Sequence, residues 1–407
     1  MSRTTRGFTR LRLTTTLGVA VVAVTVSACG TSSGGGGGGS DTSRSFILGS
    51  IEPMTGANIL TEYMHGVEMA VKDINAKGGI NGKKIILKEY DDQLDAQKTV
   101  AAVRLAIADK VDAVIGMPSS IENSAGTPLL QRAGIVILNA GVSTPVATSE
   151  KNADPLTFRI MTPMPELIYA ESQYVINELK PKSVGMTGLN IDYGQNALPQ
   201  FKKAFEGAGI KVTSSKLYPY TATDVTSEVI AMKGSDAVVD WSYPNQETIG
   251  LKTVSQYGLG NVPYLGGPSS SIINSRQAVP AALQNNLYGV QSCDPNTDSR
   301  SYVRDWAARY KSTYHEAPDY SSPSVYDAVY VLKAAIEKAG SLDHKKIAQT
   351  IEGLTYDKNT MCASVYKVDD RHQLSHVAVE MSFKGGKPTQ VKQYSATDLQ
   401  GHGAIQP

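Results

Sequence analysis

The run Ile59-Leu60-Thr61-Glu62-Tyr63-Met64-His65-Gly66-Val67-Glu68-Met69-Ala70-Val71-Lys72-Asp73-Ile74-Asn75-Ala76, then Lys77-Gly78-Gly79-Ile80-Asn81-Gly82-Lys83, then Lys84-Ile85-Ile86-Leu87-Lys88-Glu89-Tyr90-Asp91-Asp92, holds one complete unit of the fold. Leu60, Met64, Val67, Val71 and Ile74 recur at helical spacing, which predicts an amphipathic helix over 59–76. The glycine-rich segment lacks Walker spacing and follows a helix, whereas a phosphate loop precedes one. It reads as a helix C-cap and turn. Residues 84–90 then alternate as a strand does.

Outward from this unit, short β-branched runs keep alternating with amphipathic stretches. Strands are expected at 46–51, 113–115 and 135–138, and helices at 96–109 and 121–133. Met161-Thr162-Pro163-Met164-Pro165 interrupts the rhythm with two prolines. A second series follows, with strands at 183–186, 211–217, 237–239 and 262–265 and helices at 166–179, 196–208, 225–232 and 247–257. Strand-helix alternation predicts parallel sheets covered on both faces, here two similar α/β halves. Helices near 301–314, 325–339 and 345–352 have no strands to match them. They are expected to complete the first half, so the chain crosses between the halves more than once.

Composition narrows the function classes. The chain has 407 residues, 41% hydrophobic and 19% charged, with a net charge of +1, which is globular and long enough for two domains. A near-neutral chain with 2 Trp offers neither a clustered basic face nor a stacking surface for nucleic acid. Its 20 Tyr against 6 Phe suit a pocket for a small polar ligand, because Tyr joins an apolar ring to a polar tip.

The N-terminus reads as a leader. Arg3, Arg6, Arg10 and Arg12 precede an apolar run from Leu17 to Val26, too short to span a bilayer, and then Val26-Ser27-Ala28-Cys29. That ending resembles a bacterial lipobox, in which the Cys is lipidated and becomes the new N-terminus. Residues 1–28 are therefore expected to be removed. Residues 29–44, with six successive glycines from Gly34 to Gly39, form a tether of ~50 Å when extended. Loss of the four arginines leaves a mildly acidic protein outside the cytoplasm. With Cys29 committed to lipid, Cys293 and Cys362 remain, and an oxidising location favours their pairing.

The segment from Ala70 to Gly82 followed by Tyr90-Asp91-Asp92 resembles the signature region of the leucine/isoleucine/valine-binding proteins. So do Val114-Ile115-Gly116 before a Ser-rich helix start, Asn139-Ala140-Gly141-Val142-Ser143-Thr144-Pro145, and Asp192-Tyr193-Gly194. The resemblance implies a type I periplasmic-binding fold: two doubly wound parallel-sheet lobes joined by a three-segment hinge, with crossings near Thr162, Gln291 and Lys367. Lobe 1 would comprise 45–162 and 291–367, and lobe 2 would comprise 163–290 and 368–407.

Ligands of open α/β sheets sit beyond the carboxyl ends of the strands, where Ser119 and Ser120 stand at a helix start that favours an anion. N-capping uses the same geometry. By resemblance, Ser120 holds the ligand carboxylate, Val142 (through its backbone) and Ser143 form a second loop on the ligand, and Tyr193 and Tyr243 are pocket tyrosines. The family's ammonium-binding Glu is missing from Gly266-Gly267-Pro268-Ser269-Ser270, so Asp240, at a strand end, is the candidate substitute. The loop from Gly56 to His65 lacks the family's Trp; Tyr63 is the nearest aromatic.

No catalytic motif stands in a suitable setting. Gly30-Thr31-Ser32-Ser33-Gly34 lies in the tether rather than between a strand and a helix, and His372 and His376 flank a turn rather than a metal site. The expectation is a monomeric, non-enzymatic binder without cofactor or metal, anchored through Cys29 to the outer face of the cytoplasmic membrane. It would capture an amino acid or similar small carboxylate or amide and deliver it to ABC permease and ATPase subunits. An extracytoplasmic sensing subunit is the alternative.

Overall fold

The computed structural model describes residues 44–56, 58–141, 154–267, 281–375 and 377–399. Cys29 with the leader and most of the tether, Val142, Ser143, residues 268–270 and His376 lie outside the described residues.

The quoted run forms α1 (Thr61–Ala76) and β2 (Ile86–Asp91), preceded by β1 (Ile47–Glu52). Then come α2 (Ala96–Ala108), β3 (Ala113–Gly116), α3 (Ser120–Ala133), β4 (Val136–Asn139) and β5 (Thr157–Arg159). These five strands make one parallel sheet in the order β2-β1-β3-β4-β5. β3 and β4 are buried along their whole length, as strands covered on both faces must be.

After the double-proline break come α4 (Met164–Tyr174), ending in a π turn at Val175–Leu179, then β6 (Ser183–Leu189), α5 (Asp192–Gly207) and β7 (Lys211–Tyr218). They are followed by α6 (Thr226–Ala231), β8 (Ala237–Trp241), α7 (Pro244–Gln256), β9 (Tyr264–Gly266), α8 (Ala281–Gln284) and β10 (Leu287–Gln291). In the second sheet the parallel part runs β10-β9-β8-β6-β7. Both sheets therefore wind alike, reversing direction at β1/β3 in one and at β6/β8 in the other.

The chain then returns to the first lobe as α9 (Ser301–Tyr314), α10 (Ser321–Ala339) and α11 (His344–Glu352). Helix α1 packs closely on α10 because Gly66 has no side chain; a Cβ there would lie 2.3 Å from the Ser322 carbonyl oxygen. A two-stranded ladder, β11 (Thr355–Tyr356) with β12 (Tyr366–Lys367), precedes the last return to the second sheet as β13 (Ala378–Lys384) and β14 (Lys387–Tyr394). These two strands join antiparallel beside β10, and α12 (Ala396–Leu399) ends the described chain.

The chain passes from the first sheet to the second after β5 and leaves the second sheet after β10. The chain does not cross near Lys367: residues 372–374 still lie beside β5, and the next strand of the second sheet, β13, begins at Ala378. The reason is long-range pairing: Arg159 N–H donates to His372 O and Leu374 N–H to Arg159 O, both at 2.9 Å, which keeps residues 372–374 alongside β5.

Candidate functional site

The two reversal points bring the candidate residues to the carboxyl ends of both sheets. In the first lobe β3 ends at Gly116, at φ 114°, in a space where a Cβ would meet Glu52 Oε1 at 2.3 Å. Met117 follows at φ 53°, a left-handed conformation costly for a non-glycine residue and held here by Met117 N–H on Ile51 O. This turn delivers Ser119 to the start of α3, where it is the N-cap. Ser119 Oγ accepts Glu122 N–H at 3.3 Å, and Glu122 Oε2 accepts Ser119 N–H at 2.6 Å. The first-turn N–H groups of Ser120 and Ile121 have no acceptor within the helix.

An amide chain fixes the neighbouring loop. Asn123 Nδ2 donates to Met117 O and Ser119 O, Asn139 Nδ2 donates to Asn123 Oδ1, and Gly141 N–H donates to Asn139 Oδ1. Gly141 leads directly into Val142 and Ser143. Behind the loop lie Glu52, Asp92 and Glu122, all fully buried. Burial, then the Asp92 charge, pushes Glu52 and Glu122 well above the ordinary carboxylate range.

From the second lobe, Tyr193 rises at the start of α5 and Tyr243 is the N-cap of α7. Their rings lie 5.4 Å apart, and Tyr193 stacks at 5.5 Å on Trp241. Trp241 is itself edge-on to Phe201 at 5.0 Å, so the ring stack is locked into the core. Tyr243 is 7% exposed, and its hydroxyl faces those of Ser119 and Ser120 without completing a hydrogen bond. Burial, followed by the Glu122 charge, raises its pKa. Ser119, Ser120, Tyr193 and Tyr243 are thus one constellation.

Asp240 does not join them. Its side chain faces α7, where a Cβ on Gly250 would lie 2.2 Å from Oδ2, and its oxygens accept from the Tyr218 and Tyr264 hydroxyls. Burial pushes its pKa up to about 6. The alternation along β8 explains this: Trp241 turns towards α5 and its neighbour Asp240 turns to the opposite face. Two residues that the sequence reading left out of the site stand at its first-lobe wall. Tyr63 and Tyr320 are each 5% exposed, with hydroxyls 3.5 Å apart. Tyr63 carried a weak signal as the nearest aromatic in its loop; nothing local marked Tyr320.

Cys293 and Cys362 form a disulfide with Cα atoms 5.4 Å apart. Beside it, on the hinge side, is a cavity of about 1320 Å³ between residues 293–300, 362–371 and 389–397. None of the constellation's residues lines it. Among the described residues no group of His, Cys, Asp and Glu could hold a metal ion, and no helix is long and apolar enough to cross a membrane.

Two doubly wound lobes with facing polar groups at their reversal points define a hinged binder of small ligands. The chain belongs to the periplasmic binding protein family, which it matches over residues 47–387. That membership makes it an extracytoplasmic ligand binder rather than an enzyme. It is 24% identical to Leu/Ile/Val-binding protein homolog 7 of Brucella abortus over 84% of this chain and 89% of that one. A leucine-binding protein of Thermotoga maritima shares the fold at a TM-score of 0.76, with 21% identity, over 87% of this chain and 99% of that one. A solute-binding protein of an ABC transporter from Rhodopseudomonas palustris, solved with 3,4-dihydroxybenzoic acid, matches at a TM-score of 0.76 and 18% identity. That match covers 86% of this chain and 98% of the other.

Proposed function

We propose that this protein captures an amino acid or similar small carboxylate or amide in the cleft between its lobes and delivers it to an ABC importer. In this reading Cys29 carries the lipid that anchors the body through its tether. The observation that supports it best is the buried Tyr243 hydroxyl, brought from one lobe to face Ser119 and Ser120 of the other, beside whose hydroxyls it completes no well-formed hydrogen bond. A buried unpaired hydroxyl is costly, and a ligand oxygen or nitrogen between the lobes removes that cost. The ligands named for the two solved relatives, leucine and 3,4-dihydroxybenzoic acid, differ in every respect but the carboxylate. A carboxylate suits the free N–H groups that begin α3. Closure around it would exclude water and strengthen each polar contact.

Titration calorimetry with amino acids, their amides and aromatic acids tests this. Ser120→Ala is expected to weaken the best ligand roughly 10- to 150-fold, the loss of one charge-assisted hydrogen bond. Unchanged affinity in a folded Ser120→Ala protein would remove Ser120 from the site. Uptake that persists without this protein would argue against the transport role.

A further inference from the structure

The first-lobe wall of the cleft ends in a nest of carboxyls and tyrosines. Glu62 stands in the first turn of α1, and Glu316 and Asp319 stand in the turn between α9 and α10. Asp319 is 8% exposed and caps α10, accepting Ser321 N–H at 2.8 Å and Ser322 N–H at 3.3 Å. Tyr63, Tyr310 and Tyr320 close around the acids, all buried. His65 is occupied by Glu316, at 3.0 Å. Among the described residues no Lys or Arg forms an ion pair with Glu62 or Asp319.

Burial, then Asp319 and more weakly Glu316, pushes Glu62 up to about 8. Asp319 is raised as well, by burial first. Near neutral pH the two acids together therefore keep a proton that they would lose beside a positive charge. Two buried hydroxyls that complete no well-formed hydrogen bond border this nest, each beside its own neighbours. Ser322 Oγ is fully buried beside the Tyr310 hydroxyl, and Tyr243, from the other lobe, faces Tyr320.

We propose that Glu62 and Asp319, with the rings of Tyr63 and Tyr320, form a subsite for a cationic group of the ligand. That group would be an ammonium or guanidinium at the end remote from a carboxylate held at Ser119 and Ser120. The inference rests on the cleft reading above and deepens it: the ligand class is basic. A cation takes the place of the proton shared by the acids and gains from the electron-rich faces of the tyrosines. An alkyl group in the same position would bury the carboxyls further and return nothing.

The test is calorimetry on the mature protein with two near-isosteric pairs, L-arginine against L-citrulline and L-lysine against L-2-aminoheptanoic acid. Each basic member is expected to bind at least about 10-fold more tightly, the scale of one charge-assisted contact. Glu62→Gln, a near-isosteric change on a partly exposed helix turn, should collapse that ratio towards unity. Arginine binding at pH 7, repeated in buffers of different ionisation enthalpy, should release about one proton, and Glu62→Gln should abolish the release. Equal affinities within both pairs, a ratio that survives Glu62→Gln, or no binding of any basic probe would overturn the subsite. If equal affinities are all weakened by Ser120→Ala, the cleft reading stands and only this inference fails. If Ser120→Ala leaves every affinity unchanged, it is the cleft reading that fails.

Discussion

Thr162 and Val377 hold each other twice: Thr162 Oγ1 donates to Val377 O at 2.6 Å and accepts Val377 N–H at 3.3 Å. Thr162 follows β5 of the first sheet and Val377 immediately precedes β13 of the second, so one buried hydroxyl ties together two segments that run between the sheets. Gln373 reinforces the pair by donating to Met161 O and Ser375 O.

Thr162→Val keeps the shape and removes both bonds, leaving a buried N–H and C=O of Val377 without the hydroxyl. The expected cost is about 1–3 kcal/mol, read as a lower urea midpoint with an unchanged slope. Ligand affinity should change as well, because the hinge sets the balance of open and closed states. An unmoved midpoint would mean that the crossings are held by their flanking sheets alone.

The disulfide joins residues 69 apart in sequence, and the covalent loop restricts the unfolded chain. In the chain-entropy model this contributes about 4 kcal/mol. Replacing both Cys293 and Cys362 by Ala should lower unfolding stability by an amount of that order, and reductant should then have no further effect. Equal stability of the variant and the oxidised protein would contradict the model for this loop.

Asp240 makes a pH prediction whose sign is opposite to that of a salt-bridged acid. Its folded-state pKa of about 6 lies above the unfolded value of ~3.9. The folded protein therefore holds the proton more tightly, a contribution that is complete below pH ~4 and lost as pH rises through 6. The span is about 3 kcal/mol. Asp240→Asn should flatten the difference in stability between pH 4 and 6 relative to the unmodified protein. Affinity should not change, because the side chain faces α7. A loss of affinity as large as that of Ser120→Ala would instead make Asp240 the ligand's counter-charge.

The parts of the fold legible in the sequence were those written in local periodicity. Leu60 to Ile74 marked α1 to within two residues, and Ser119 announced α3 because capping is a contact between neighbours in sequence. Residues 372–374 were unreadable because their place beside β5 depends on Arg159, more than two hundred positions away. Asp240 shows a different limit: a strand end says which residue is near the cleft, and the side-chain alternation decides which face it takes. Tyr320 escaped notice because the packing of α10 on α1, allowed by Gly66, brings it to Tyr63.

The constellation itself makes the last prediction. Ser120 and Tyr243 come from different lobes and face each other across the cleft. If both contact one ligand group, removing either hydroxyl leaves the other badly engaged, and their effects cannot add. Ser120→Ala is expected to weaken binding by about 1.5–3 kcal/mol and Tyr243→Phe by about 1 kcal/mol. The double variant should fall short of the sum by at least about 0.5 kcal/mol, the usual coupling of residues that share a partner. Calorimetry on the four proteins closes the cycle. Additive losses would show that Ser120 and Tyr243 touch separate parts of the ligand, and a silent Tyr243→Phe would mean that the second lobe closes through Tyr193 and Trp241 alone.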